Sequence, residues 1–282
     1  MRWADLDLFG HVNNVVYIDY LQEARVDMLR VHARGPQTDG LAEGVVVAEH
    51  QVQYVAPAHF AFAPIKVEVW VTEIQAASFT LAYEVFQDDA AGERTVYLRA
   101  TSLLAPYVFA DERPRRLTAE ERASLEAYLE PAPRRRVEVS EARHTELGHF
   151  PLTVRFSDVD AYGHVNNVKY LEYFQEARIL ALEKAFQEHQ GEGRPGMVVA
   201  QADLVYKRPI LQRPERYDVW SWVADVGTKS VVIDGEITDP LASPERAVLA
   251  RSRFVLVFFD VATGRSTTPP ADVRERLLSF VS

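Results

Sequence analysis

The chain has 282 residues, room for about two average domains, with 48% hydrophobic and 26% charged residues and a formal net charge of −10. This composition excludes global disorder, and the acidic balance excludes a general nucleic-acid binder, which needs a basic stripe to neutralise phosphates. Cysteine is absent, so disulfides, thiolate metal sites and a cysteine nucleophile are excluded as well.

No apolar run approaches the length of a membrane span. The opening MRWADLD carries Asp5 and Asp7 and no apolar signal segment, so a cytoplasmic protein without a membrane partner is expected. Whether Met1 is the true start is left open.

The first feature along the chain is RWADLDLFGHVNN, from Arg2 to Asn14. Asn13 or Asn14 is a suitable N-cap. The stretch that follows predicts a helix, because Asp19, Glu23, Asp27 and Arg30 recur at helical spacing away from Tyr17, Leu21, Ala24 and Met28. Strands are expected next, over Val45–Tyr54, Ile65–Thr72, Phe79–Val85 and Val96–Ala105, from β-formers and period-2 alternation. From Pro106 to His149 the chain turns dense in Pro, Arg and Glu. Within it TAEERASLEAYL has a capping-box spacing, Thr118 with Glu121, and reads as a linker helix. The arginine clusters at 113–116 and 134–136 read as solvated linker.

A short strand in GHFPLTVRFSD then leads into a second copy of the opening motif. RFSDVDAYGHVNNVKYLEYFQEARILAL, from Arg155, matches the segment from Arg2 at 16 of 28 positions without a gap. Strands recur at Met197–Tyr206, Tyr217–Val226, Val231–Thr238 and Ala247–Phe259. A period this long marks a duplicated domain, not a solenoid. One early helix and four consecutive strands per copy predict an α+β layer pattern with an antiparallel sheet. The domains expected are 1–110, lacking the leading strand, a linker at 111–148 with a helix, and 149–282. Trp70, Trp220 and Trp222 either pack in the core or offer a sheet face to a second chain, so a homo-oligomer is left open.

The duplicated signature R-x-x-D-x-D-x-x-G-H-V-N-N-x-x-Y resembles the hotdog-fold thioesterases of the 4-hydroxybenzoyl-CoA thioesterase type. Its HVNN-x-x-Y portion is similar to the plant acyl-ACP thioesterases, which are tandem hotdogs. The resemblance implies two hotdog domains, each a long helix wrapped by a curved antiparallel sheet. It further implies that they pair within one chain and hold acyl-thioester sites at their interface. The activity implied is hydrolysis of an acyl-CoA, or of an acyl-ACP, to free acid and thiol, with no cofactor.

Hydrolysis needs a group that activates water or attacks the carbonyl, and donors for the developing oxyanion. A carboxylate before a helix and free N–H groups at its start meet both needs. By resemblance Asp7 and Asp160 are the catalytic carboxylates, with His11 and His164 kept from the plant pattern. The plant Asn is replaced by Phe9 and Tyr162, which favours a carboxylate-led mechanism. Glu49 falls near a strand acid used by some relatives, while the second copy has Gln201, so unequal sites are expected. Gly10 and Gly163 allow close approach of backbone amides to substrate. Asn13 and Asn166 are helix caps or substrate contacts. Arg99 and Arg251 either meet coenzyme A phosphates or sit in surface ion pairs. Asp5 and Asp158 read as structural, and Tyr17 and Tyr170 as core.

Other chemistry lacks its signature. His11 and His164 have no metal-spacing partner, and no G-x-S-x-G or glycine-rich phosphate loop occurs. Hotdog hydratases carry Asp five residues before the His, where this chain has Leu6 and Val159. The rival from another class is a non-catalytic acyl-CoA-binding module, which has no need of paired acids.

Overall fold

The computed structural model describes residues 1–32, 41, 44–186, 196–242 and 247–281. The chain divides into two units, Met1–Arg136 and Val137–Ser282.

In the first unit, helix α1 (Val16–His32) is followed by strands β1 (Val45–Tyr54), β2 (Lys66–Ile74), β3 (Phe79–Asp88) and β4 (Arg94–Val108). The antiparallel sheet runs in the order β2-β3-β4-β1, with the two-residue strand β5 (Arg113–Pro114) on β4. Tyr17, Ile18, Leu21, Met28 and Leu29 are buried along one stripe of α1, as the spacing of its polar face predicts. In the sheet Leu81, Tyr83 and Val85 of β3 and Leu98 and Leu104 of β4 are buried as well. Helix α2 (Ala119–Glu126) closes the unit. Its capping box forms as the sequence predicts: Glu121 N–H donates to Thr118 Oγ1 at 3.1 Å, and Thr118 N–H donates to Glu121 Oε2 at 2.8 Å.

The second unit repeats the plan with helix α3 (Asn167–Ala185) and strands β6 (His149–Leu152), β7 (Gly196–Tyr206), β8 (Tyr217–Val226), β9 (Ser230–Asp239) and β10 (Ala247–Asp260). Its sheet order is β6-β8-β9-β10-β7, with the short strand β11 (Arg265–Ser266) on β10. The leading strand expected only in the second copy is β6. In the first unit the edge of β2 is paired instead by the chain after α2, through Val71 N–H to Tyr128 O and Glu130 N–H to Val71 O. Both solutions shield an edge strand from pairing with another chain.

Two features differ from the sequence expectation. Helix α2 packs on β2 with Leu125 fully buried, so it belongs to the first unit. A helix α4 (Ala271–Leu278) that the period-2 reading passed over packs on β8 in the same way, burying Val273 and Leu277. The tryptophans are also settled for the second unit. Trp222 donates to Ser140 Oγ, and Trp220 stacks between His144 and His149, at ring distances of 4.5 and 4.4 Å. The segment before β6 therefore covers this face of the sheet, and both indoles are buried.

Candidate active site

Each motif folds into the same tight turn ahead of its helix. In the first unit, Arg2 backbone and guanidinium and the Tyr20 hydroxyl all donate to Asp5, the last at 2.6 Å. Burial pushes this carboxyl up, but those hydrogen bonds outweigh it and hold Asp5 below its ordinary range. Asp158 takes the Tyr173 hydroxyl at 2.7 Å and the Arg155 N–H at 2.9 Å. The first Asp of each pair is structural, as expected.

The second Asp governs the turn. Asp7 Oδ1 accepts from Phe9 N–H at 2.9 Å and His11 N–H at 3.0 Å. Asp7 N–H donates to His11 O at 2.7 Å, and Gly10 N–H donates to Asp7 O at 3.1 Å. Asp160 repeats the pattern with Tyr162 N–H at 2.9 Å, His164 O at 2.8 Å and Gly163 N–H at 3.1 Å. Gly10 has φ +75° and Gly163 φ +80°, the left-handed region that glycine enters without steric cost. Both carboxylates are half-buried, and Asp7 Oδ2 meets no protein donor among the described residues.

The turn is pinned from below. Val12 N–H donates to Ala58 O and Val165 N–H to Ile210 O, at 2.8 and 2.9 Å. The buried Tyr170 hydroxyl accepts from Ile210 N–H at 2.9 Å, and Tyr17 accepts from Ala58 N–H in the same way. Burial pushes both tyrosines up, with Asp7 and Asp160 adding to the rise, so they stay protonated. These are core positions whose hydroxyls lock the loop after β1 or β7 to the motif. The His11 ring lies edge-on to His59 at 4.8 Å, while Leu211 stands at the matching position opposite His164.

The helix starts decide which amides are free. Asn13 Oδ1 accepts from Val15 N–H at 3.1 Å and Asn166 Oδ1 from Val168 N–H at 3.0 Å, so the first Asn of each pair is the cap. The N–H groups of Gly10 and Gly163 themselves are used inside the turn, so a free amide near them has to come from a neighbouring residue. In the first unit the N–H groups of Phe9, Gly10, His11, Val12 and Asn13 are all bonded. Asn14 N–H has no acceptor among the described residues, and its buried Nδ2 has none either. The first amide left over at the helix start is therefore that of the second Asn, which sequence reasoning did not single out. The signal was the doubled Asn: once the first caps, the next residue's amide is spare.

The remaining candidates sit elsewhere. Glu49 follows a bulge at Ala48 in β1, and its partners are Gln51 Nε2 at 2.6 Å and Arg134 at 3.3 Å, not Asp7. Gln201 follows the matching bulge in β7 and donates to the buried Asp203 at 2.7 Å. Arg99 pairs with Glu84 and Arg251 with Glu236, each at 3.0 Å. Of the two readings open for these arginines, the structure supplies the ion pairs. Among the described residues no cluster of His, Asp and Glu has metal-site geometry, and no helix is long and apolar enough to cross a membrane.

A family model described as the thioesterase-like superfamily matches residues 1–124 and 154–277. The long-chain acyl-CoA thioesterase FadM of Escherichia coli is 30% identical over 132 residues, covering 46% of this chain and 96% of that protein. The 12:0-ACP thioesterase from Umbellularia californica superposes with a TM-score of 0.71 at 17% identity, covering 92% of each chain. An acyl-ACP thioesterase from Bacteroides thetaiotaomicron gives 0.63 at 17% identity, over 90% of this chain and 93% of that one. The two structural likenesses establish the tandem hotdog fold. With the family model matching both copies of the motif, the chain belongs to the thioesterase-like superfamily and is a thioester hydrolase.

Proposed function

We propose that the substrate is an acyl-CoA, hydrolysed at turns carrying Asp7 and Asp160. The observation that carries this reading is the pairing of a carboxylate oxygen left free at the turn with an amide left free seven residues later at the helix start. Asp7 Oδ2 takes the proton of a water whose oxygen attacks the thioester carbonyl carbon, and Asn14 N–H holds the developing oxyanion. Collapse of the tetrahedral adduct breaks the C–S bond. The thiolate recovers the proton, giving free acid and free thiol. Direct attack by the carboxylate through a mixed anhydride uses the same geometry. Asp160 occupies the matching position of the second copy. His11 N–H braces the Asp7 carboxylate, His164 O accepts from Asp160 N–H, and Asn13 and Asn166 cap the helices.

The CoA carrier is supported by the relation to FadM, a long-chain acyl-CoA thioesterase. Likeness to acyl-ACP thioesterases along nearly the whole chain supports a second carrier, acyl-ACP. A cysteine-free chain suits a reducing cytoplasm. The test is release of free thiol from a series of acyl-CoAs and acyl-ACPs. Turnover of the CoA esters confirms the reading, turnover of acyl-ACP alone moves the carrier, and binding without thiol release leaves an acyl-binding module.

A further inference from the structure

Thioester hydrolysis releases a chain with an apolar body and an anionic end, and the second unit holds a cavity of matching chemistry. Its volume is about 350 Å³, within the range of small-molecule sites. Trp222, Ile233, Leu277 and Phe280 form apolar walls, and Ala181 and Ala185 form the helix side. In the first copy the aligned helix residues are Met28 and His32, so the second copy carries smaller side chains here. Met28 is buried in its own unit; the methyl of Ala181 leaves that volume vacant.

The cavity is not the Asp160 turn. Ala181 lies fourteen residues into α3, which places it roughly 21 Å along the helix from its start. At the rim stands Arg143. One of its guanidinium nitrogens donates to the carbonyls of Phe280 and Val281, which anchors the side chain. Its other N–H groups meet no acceptor among the described residues, and a guanidinium presents them in a fork that matches a carboxylate.

We propose that this cavity binds a free fatty carboxylate, its chain lying against Trp222 and its head at Arg143. The source of such a ligand rests on the thioesterase reading; the binding itself does not require turnover.

Trp222 serves as the reporter. A stearic acid carrying a nitroxide on its chain is titrated into the full chain and tryptophan quenching is followed. The expected result is saturable quenching that loses most of its amplitude in Trp222→Phe. Ala181→Met, which restores the first copy's residue, is expected to weaken it at least tenfold while thiol release stays unchanged, which reports an intact fold. The methyl ester of the probe is expected to bind several-fold more weakly, and Arg143→Gln to erase that difference. Absence of saturable quenching, equal quenching in Ala181→Met, or an ester as tight as the acid overturns the proposal. Quenching in a chain that releases no thiol from any acyl-CoA supports this site while removing the hydrolase reading.

Discussion

The sharpest test of the two-turn reading replaces Asp7 and Asp160 by Asn, singly and together. Asn keeps an oxygen where Oδ1 accepts from Phe9 and His11 N–H at 2.9 and 3.0 Å, so the turn persists. It puts an NH₂ where the free Oδ2 stands, and an amide takes no proton at neutral pH. Hydrogen bonds to a charged acceptor contribute about 1.5–3 kcal/mol and neutral ones about 0.5–1.5. At a half-exposed turn the difference shrinks through solvent screening, so the loss is about 1 kcal/mol per unit or less. For domains of this size that lowers Tm by roughly 2–4 °C. Loss of a general base costs about 10²–10⁴ in rate. Thiol release from acyl-CoA by the double variant is therefore expected to fall at least a hundredfold, with acyl-CoA binding retained and melting nearly unchanged. The singles divide the activity between the copies. Equal losses of about half mean equivalent sites, whereas a dominant loss at one Asp means that its copy carries most of the turnover. A folded double variant within a few-fold of wild type would refute the assignment of these carboxylates.

Tyr170→Phe removes the hydroxyl that accepts from Ile210 N–H at 2.9 Å and leaves that buried donor unpaired, so unfolding by denaturant should show a loss of about 1–3 kcal/mol; no loss would mean that water takes the donor. Gly163→Ala places a Cβ with nothing within 4 Å but at φ +80°, so the cost is backbone strain alone, about 1–2 kcal/mol. Gly163→Asn should cost less, and equal stability of all three proteins would remove the argument. His50, wholly buried beside Ser102 Oγ at 2.8 Å, is pushed down from 6.5 to about 3 by burial and then by the charge of Arg25. Below 6.5 the unfolded chain binds a proton that the folded chain refuses, so stability falls as pH drops from 6.5 toward 3. Melting curves of His50→Gln across that window should be flatter than wild type, and parallel curves would sink the assignment.

What was readable from residues alone was local. The strands Val45–Tyr54 and Tyr217–Val226 end where alternation and β-formers end, because period-2 burial is written into the strand itself. The Thr118 box and the Asn13 and Asn166 caps form within three residues of chain. The duplicated turn follows from an Asp three residues before a glycine, since the carboxylate closes the loop and only glycine relaxes at that φ.

The helix Ala271–Leu278 escaped that reading, since its two buried residues, Val273 and Leu277, leave a polar octet on which only the partner β8 confers order. The same limit applied to α2, whose cap was legible but whose docking on β2 was not. Residue type, likewise, left Arg99 and Arg251 open to coenzyme A phosphates or surface ion pairs, and Glu49 open to catalysis or a hydrogen-bonding place. The structure pairs the arginines with carboxylates on a neighbouring strand and Glu49 with Arg134, contacts far apart in sequence. The motif and its repeat were thus settled by the sequence, because turn and cap bonds join near neighbours. Which amide stays free at the helix start, and where the second unit keeps space behind Ala181, depended on what tertiary packing sets opposite each donor and each methyl.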